Sequence, residues 1–235
     1  MNNKIKIKHS RGDRVILAIN NIMLGIIVLL ILVPLLYVFL SSFLEPNALI
    51  KKGLALSPSD WSLEGYTRIL TDGTIMRGFL NSILYSAGFT IITVTISILA
   101  GYTLSVDGLV GKKIFMFFFL FTMFFGGGLI PTYFVVRDLG MLNTIWAIII
   151  PGAVNVWFII LARTYFKGIP NELKEAARID GASDFRIFIS IVLPLCKPII
   201  FVLALYAFIG QWNAYFDAMI YLDNRDLYPL QLVLR

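Results

Sequence analysis

The chain has 235 residues, of which 58% are hydrophobic and only 14% charged, with a formal net charge of +6. A soluble domain of this size carries more charge and less apolar content, so a soluble enzyme or binding module is excluded. The positive balance does not point to nucleic acid, because the basic residues gather at the ends of apolar runs, where membrane topology alone requires them.

Five apolar blocks approach the roughly 20 residues needed to cross a bilayer. They cover 16–43, 78–104, 114–136, 144–162 and 198–216. Backbone groups in lipid must be hydrogen bonded within their own segment. The predicted fold is therefore all-α, a polytopic transmembrane helix bundle forming one domain over 1–235. The first block has the basic flank of a secretion signal (Lys4, Lys6, Lys8, Arg11, Arg14). Its apolar run is too long for one and no cleavage site follows, so it is read as an uncleaved first span. His9 reads as a solvated histidine. Cys196, the single cysteine, forms no internal disulfide, and no metal-ligand spacing is present.

Charge sets the expected sidedness. The N-terminal flank, 106–113 and 163–197 carry thirteen Lys and Arg between them, against seven in 44–77, around Arg137 and in 217–235. The first group, with the N-terminus, is expected in the cytoplasm and the second outside. Five spans leave the last residues outside, and a sixth, returning span is expected beyond them.

The spans are not uniformly apolar. Asn81 and Ser82 open the second; Gly126-Gly127-Gly128 and Pro131 break the third. Pro151, Gly152 and Asn155 interrupt the fourth, and Gln211, Trp212, Asn213, Tyr215 and Asp217 cluster near the end of the fifth. Small residues let helices approach closely, and polar groups in a span face the bundle or a wet cavity. Kinking, interhelical hydrogen bonding and interface anchoring explain such residues as readily as a transport path does.

The 163–197 segment is the most informative. Asn171 is expected to N-cap a helix over Glu172–Asp180, with acids in its first turn. Gly181 should end it in a left-handed conformation. Ser183 should cap a second helix running through Phe185, Ile189 and Ile191 toward Pro194. Ala176 and Ala177 form a small-residue face that another protein could approach, and Glu175 beside them could pair with a partner's arginine. A helix resting on lipid is the alternative, but large apolar anchors opposite a basic face are missing.

The spacing Glu175-Ala176-Ala177, three residues, Gly181, nine residues, Ile191, one residue, Leu193-Pro194 resembles the EAA motif of ATP-binding-cassette importer permeases. Ile169-Pro170-Asn171-Glu172-Leu173, Ile179-Asp180-Gly181-Ala182-Ser183, Asn81-Ser82, Gly111-Lys112-Lys113 and Trp212-Asn213 look like the carbohydrate-uptake, maltose-permease-like branch. The 125–132 stretch, Phe-Gly-Gly-Gly-Leu-Ile-Pro-Thr, resembles a sub-branch tied to complex or acidic oligosaccharides. The resemblance covers nearly the whole chain. It departs in the absent sixth span and at Asp107, where relatives often carry a basic residue.

The resemblance implies a type I importer permease that helps import a sugar or oligosaccharide across a prokaryotic cell membrane. Glu172, Glu175, Ala176, Ala177, Asp180 and Gly181 would couple it to an ATPase. The helix would lie in a groove on that subunit, with Glu175 making an ionic contact and Gly181 forming the turn. Implied partners are a second, non-identical permease, two cytoplasmic ATPase subunits holding ATP and magnesium, and an extracytoplasmic solute-binding protein. The chain itself has no Gly-x-x-x-x-Gly-Lys-Ser/Thr loop, so no ATPase activity and no bound cofactor are expected. Sugar sites combine aromatic faces with amides and carboxylates. Candidate pathway residues are therefore Asn81, Asn155, Gln211, Trp212, Asn213, Tyr215 and Asp217, with Trp212 expected to matter more for uptake than Trp157. An ion-coupled secondary transporter is the alternative class, disfavoured by spans nearly free of ionisable residues and by the lack of a repeat. An importer of a non-sugar solute is another.

Overall fold

A computed structural model describes residues 10–45 and 60–235. Lys4, Lys6, Lys8, His9, Lys51 and Lys52 lie outside them. The contacts divide the chain into two units, 1–71 and 72–235.

In the first unit, α1 spans Arg11–Ser41. Ser10 and Asp13 start it with a reciprocal capping box at 3.2 and 2.9 Å, which satisfies two of the orphan N–H groups of the first turn. None of its described side chains is buried. After a turn, Phe43 packs between Trp61 and Tyr66, and the Ser42 and Tyr66 hydroxyls share a 2.7 Å hydrogen bond. A short helix, α2, covers Glu64–Thr71.

The second unit is organised by α3, Gly73–Ser105, an unbroken helix of 33 residues. Asp72 caps it, accepting from the amides of Thr74 and Ile75 at 2.8 and 3.2 Å. The third apolar block is not one helix. It is α4, Lys112–Phe124, and α5, Leu129–Asp138, bent by 111°. The break falls on the triple glycine, where Gly128 has φ +86°, a conformation that L side chains rarely adopt. The fourth block is also divided, into α6, Trp146–Ile149, and α7, Val156–Lys167. Pro151 lacks an amide and Gly152 has φ +79°, so no helix passes through them. Asn155 restarts the chain by accepting from the Phe158 amide at 3.1 Å. Then follow α8, Asn171–Ile179, and α9, Asp184–Leu195, which contains one π turn. The fifth block is α10, Lys197–Trp212, bent 74° from α9. A short α11, Phe216–Tyr221, and α12, Leu230–Val233, complete the unit. Thus α1 and α3 are long and apolar enough to cross a membrane, and the number rises to four if each bent pair is one broken span.

Two buried clusters hold the second unit together. One joins Ile98 to Ala162 and Phe166 of α7, Ala177 of α8, Ile187, Phe188 and Val192 of α9, and Leu203 of α10. The other joins Tyr85 to Val136, to Ala147 to Ile149 of α6, and to Ala218, Tyr221 and Leu222 around α11. Only α3 contributes to both among the described residues. Its closest approach is at Gly101, where a Cβ would lie 2.7 Å from the Ala162 Cβ and 2.9 Å from the Arg163 nitrogen. This is the small-residue contact that lets membrane helices touch.

The segments sort by charge as expected within this unit. Residues 105–107 and the 163–197 loop meet at the C-terminal end of α3, where the Arg163 Nε donates to the Leu104 carbonyl at 3.1 Å. Asn143 and residues 221–230 meet its N-terminal end.

Candidate functional site

The α8–α9 hairpin is locked by its backbone. Pro170, without an amide of its own and with φ −54°, precedes the first turn. The expected Asn171 cap is therefore corrected: Asn171 is the first helical residue, and its Oδ1 accepts from the Lys174 Nζ at 3.4 Å. Gly181 takes φ +79° as expected. Its amide donates to the Arg178 carbonyl at 3.0 Å and the Ala182 amide to the Ala177 carbonyl at 2.9 Å, the two bonds of a Schellman turn. Ser183 caps α9 through the Arg186 amide, and Arg178 pairs with Asp184 at 3.0 Å across the turn.

The two alanines do not share a docking face. Ala177 is 8% exposed and seats α8 on the buried cluster with Phe166 and Ile187, whereas Ala176 is exposed. Glu172, Glu175 and Asp180 are also exposed. The outward face carries apolar residues that the sequence reading discounted: Ile179 is 87% exposed and Phe185 73%. Helical geometry could have shown this, since Ile179 lies two residues, or about 200°, around α8 from Ala177.

Beside α8 is a small notch of about 190 Å³, walled by Tyr102, Ser105, Asp107, Lys174, Glu175 and Arg178. Arg178 is committed to Asp184, and Lys112 reaches Asp107 at 3.5 Å. Glu175 has no ion pair among the described residues, so its carboxylate is open to an outside cation.

A second, larger cleft of about 660 Å³ lies between α7 and α10. Its walls include Phe89, Asn155, Trp157, Phe158, Tyr206 and Gln211. Two of the seven candidate pathway residues, Asn155 and Gln211, are here. The Asn155 Oδ1 is used in capping α7, but its Nδ2 makes no hydrogen bond among the described residues. Gln211 Nε2 donates a long 3.4 Å bond to the Ile148 carbonyl.

The other five are elsewhere. The Asn81 amide donates to the carbonyls of Asp226 and Tyr228 at 2.8 and 3.0 Å. Trp212 packs edge-on against Phe79 and stacks on Phe208, tying α10 to α3. Asn213 bonds back to the Ile209 carbonyl of its own helix. Tyr215 lies under the Arg235 guanidinium, 3.8 Å away, and Asp217 is exposed in the first turn of α11. The aromatic residues that do line the cleft, Phe89, Trp157, Phe158 and Tyr206, were not among the candidates. Trp157 lies two residues after the Asn155 cap, a placement legible in the sequence.

Known proteins resemble this chain over most of its length. Residues 113–221 match the family described as binding-protein-dependent transport system inner membrane component. The polygalacturonan/rhamnogalacturonan transport system permease protein YtcP of Bacillus subtilis is 37% identical over 207 residues, 88% of this chain and 72% of that protein. Protein LplC of the same organism is 34% identical over 227 residues, 97% of this chain and 77% of that protein. A solved bacterial ABC transporter involved in the import of the acidic polysaccharide alginate superposes with a TM-score of 0.89 at 35% identity, covering 97% of this chain and 82% of that one. The chain therefore belongs to the family of binding-protein-dependent transport system inner membrane components, as a permease subunit of an ATP-binding-cassette transporter.

Proposed function

We propose that this subunit serves the ATP-driven import of an acidic oligosaccharide, and that the α8–α9 hairpin is where an ATPase subunit engages it. The observation that carries the docking reading is the hairpin itself. Its backbone is locked by the Schellman turn and Ala177 is anchored in the core, while Glu175, Ile179 and Phe185 stay open to an outside partner. A rigid handle with an unpaired carboxylate and exposed apolar side chains suits a groove with a basic residue in it. ATP and magnesium would be held on two such ATPase subunits. The acidic-sugar reading is supported by the cargo named for YtcP and for the alginate importer.

The partner permease would be similar but not identical, making a heterodimer, and an extracytoplasmic binding protein would deliver cargo to the α11 end. The N-terminus, residues 106–113 and the hairpin would face the cytoplasm of a prokaryote. The α7–α10 cleft would form this subunit's wall of the cargo path, with Trp157 and Tyr206 offering rings and Asn155 and Gln211 offering amides to sugar hydroxyls.

Co-purification tests the docking. Glu175→Lys should cut recovery of the ATPase at least fivefold while the permease remains in the membrane. Unchanged recovery would refute engagement through α8. For cargo, uptake of oligogalacturonate should exceed uptake of a neutral maltooligosaccharide; the reverse order would remove the acidic reading.

A further inference from the structure

The N-terminal end of α3 holds the backbone of residues 221–230 through a series of side chains. Asn81 donates to the carbonyls of Asp226 and Tyr228, and the Tyr85 hydroxyl donates to the Leu227 carbonyl at 2.8 Å. Ser82 Oγ accepts from the Leu230 amide at 2.8 Å, and Arg77 pairs with the Asp226 carboxylate. From the other side, Asn143 Oδ1 accepts from the backbone amides of Asp223 and Asn224 at 3.2 and 2.9 Å, and the Asn143 backbone amide donates to the Tyr221 carbonyl at 2.8 Å. Asn143 does this at φ +58°, the one positive φ at a non-glycine position among the described residues. Asparagine is one of the few residues that tolerate this region. The segment thus has little regular structure of its own and takes its shape from α3 and Asn143, while the side chains of Asp223, Asn224 and Arg225 stay exposed.

The other end of the same helix is held just as firmly. Tyr102 packs against the rings of Phe166 and Phe188 at 5.6 and 4.6 Å, and Arg163 bonds the Leu104 carbonyl. Tyr102 and Ser105 also wall the notch beside Glu175. Between these ends α3 has no break, and it alone among the described helices enters both buried clusters. At about 1.5 Å per residue it is a rod on the order of 50 Å long. Rigid elements of this kind carry energetic coupling between distant sites.

We propose that Asn81, Ser82 and Tyr85 are positioning residues that make the 222–230 segment move as one body with α3. Displacement of the α8–α9 hairpin by the ATPase is then carried directly to the opposite face. Asn81 serves transport by holding this segment, away from the cargo path. The inference rests on the docking reading given above, but that reading fails separately, as unchanged ATPase recovery with Glu175→Lys.

A reversible covalent tie tests it. The Ser82–Leu230 bond places these positions within reach of a disulfide, whose Cα atoms sit about 4.4–6.8 Å apart. Ser82→Cys with Leu230→Cys is made in a Cys196→Ser background, and ATP hydrolysis by the reconstituted assembly is read before and after oxidation. Hydrolysis should stay within twofold, because the tie joins parts that already move together. A fivefold or larger loss that dithiothreitol reverses would mean the segment slides against α3 and would overturn the proposal. Adding Asn81→Ala and Tyr85→Phe should lower hydrolysis at least threefold when reduced, and oxidation should restore it. No loss, or a loss that oxidation leaves in place, would also overturn it, the latter by showing that the residues serve folding alone.

Discussion

Gly101 and Ala177 show how single small residues decide the packing. A side chain at 101 would meet the α7 backbone, which cannot rotate away. Gly101→Ala should therefore destabilise the protein by about 1–3 kcal/mol, the cost of overpacking. Gly210→Ala, in α10 with nothing within 4 Å of its would-be Cβ, should be neutral or slightly stabilising. Thermal unfolding of the two variants in detergent measures the difference, and equal midpoints would contradict the close approach at Gly101. Ala177 marks a limit of residue-level reading. Its size and place in the motif are plain in the sequence, but an alanine that invites a partner and one that fills a core look identical until the helix is docked. The same holds for Asn81, whose amide could equally have faced a water-filled path. Only the fold shows it meeting the carbonyls of Asp226 and Tyr228.

Helix interruptions were partly legible. Gly181, Ser183 and the Asp184–Leu195 helix follow from local turn chemistry, which needs no tertiary context. The divided fourth block was visible as Pro151 and Gly152 but was still counted as one span, because hydropathy does not register a backbone break. That break matters for the site, since it starts α7 at Asn155 and so puts Trp157 on the cleft. Trp212, on which the sequence placed more weight, is occupied with Phe79 and Phe208. The structure gives reason to reverse the expected order. Trp157→Ala should lower uptake severalfold with little change in melting temperature. Trp212→Ala should lower the melting temperature through loss of its packing on Phe79 and Phe208, by less than the roughly 3–5 kcal/mol of a fully buried aromatic, because Trp212 is partly exposed. Paired uptake and unfolding measurements decide this, and a larger uptake defect in a stable Trp212→Ala protein would restore the original order.

Across the whole molecule, charge counting and the fold agree on which segments of the second unit belong together. Basic-rich 106–113 and 163–197 share one end of α3, and Asn143 and 221–230 share the other. Which end faces the cytoplasm is a prediction from the positive-inside rule. A cysteine placed at Lys174 should react with a membrane-impermeant maleimide only after cells are opened, and one at Asn224 should react in intact spheroplasts. Labelling in the opposite pattern would invert the proposed orientation.

The bend between α4 and α5 has a consequence for how the molecule survives. The amides of Gly126, Gly127 and Gly128 donate no hydrogen bond among the described residues, and three glycines in a row offer no side chains to shield them. Hydrocarbon tails cannot accept those protons, and each bare peptide group in oil costs several kcal/mol. Wherever this bend meets hydrocarbon it should therefore need cover from a neighbouring subunit or a hydrated lumen, and a pulse-chase should show the subunit cleared faster when expressed alone than with its partners.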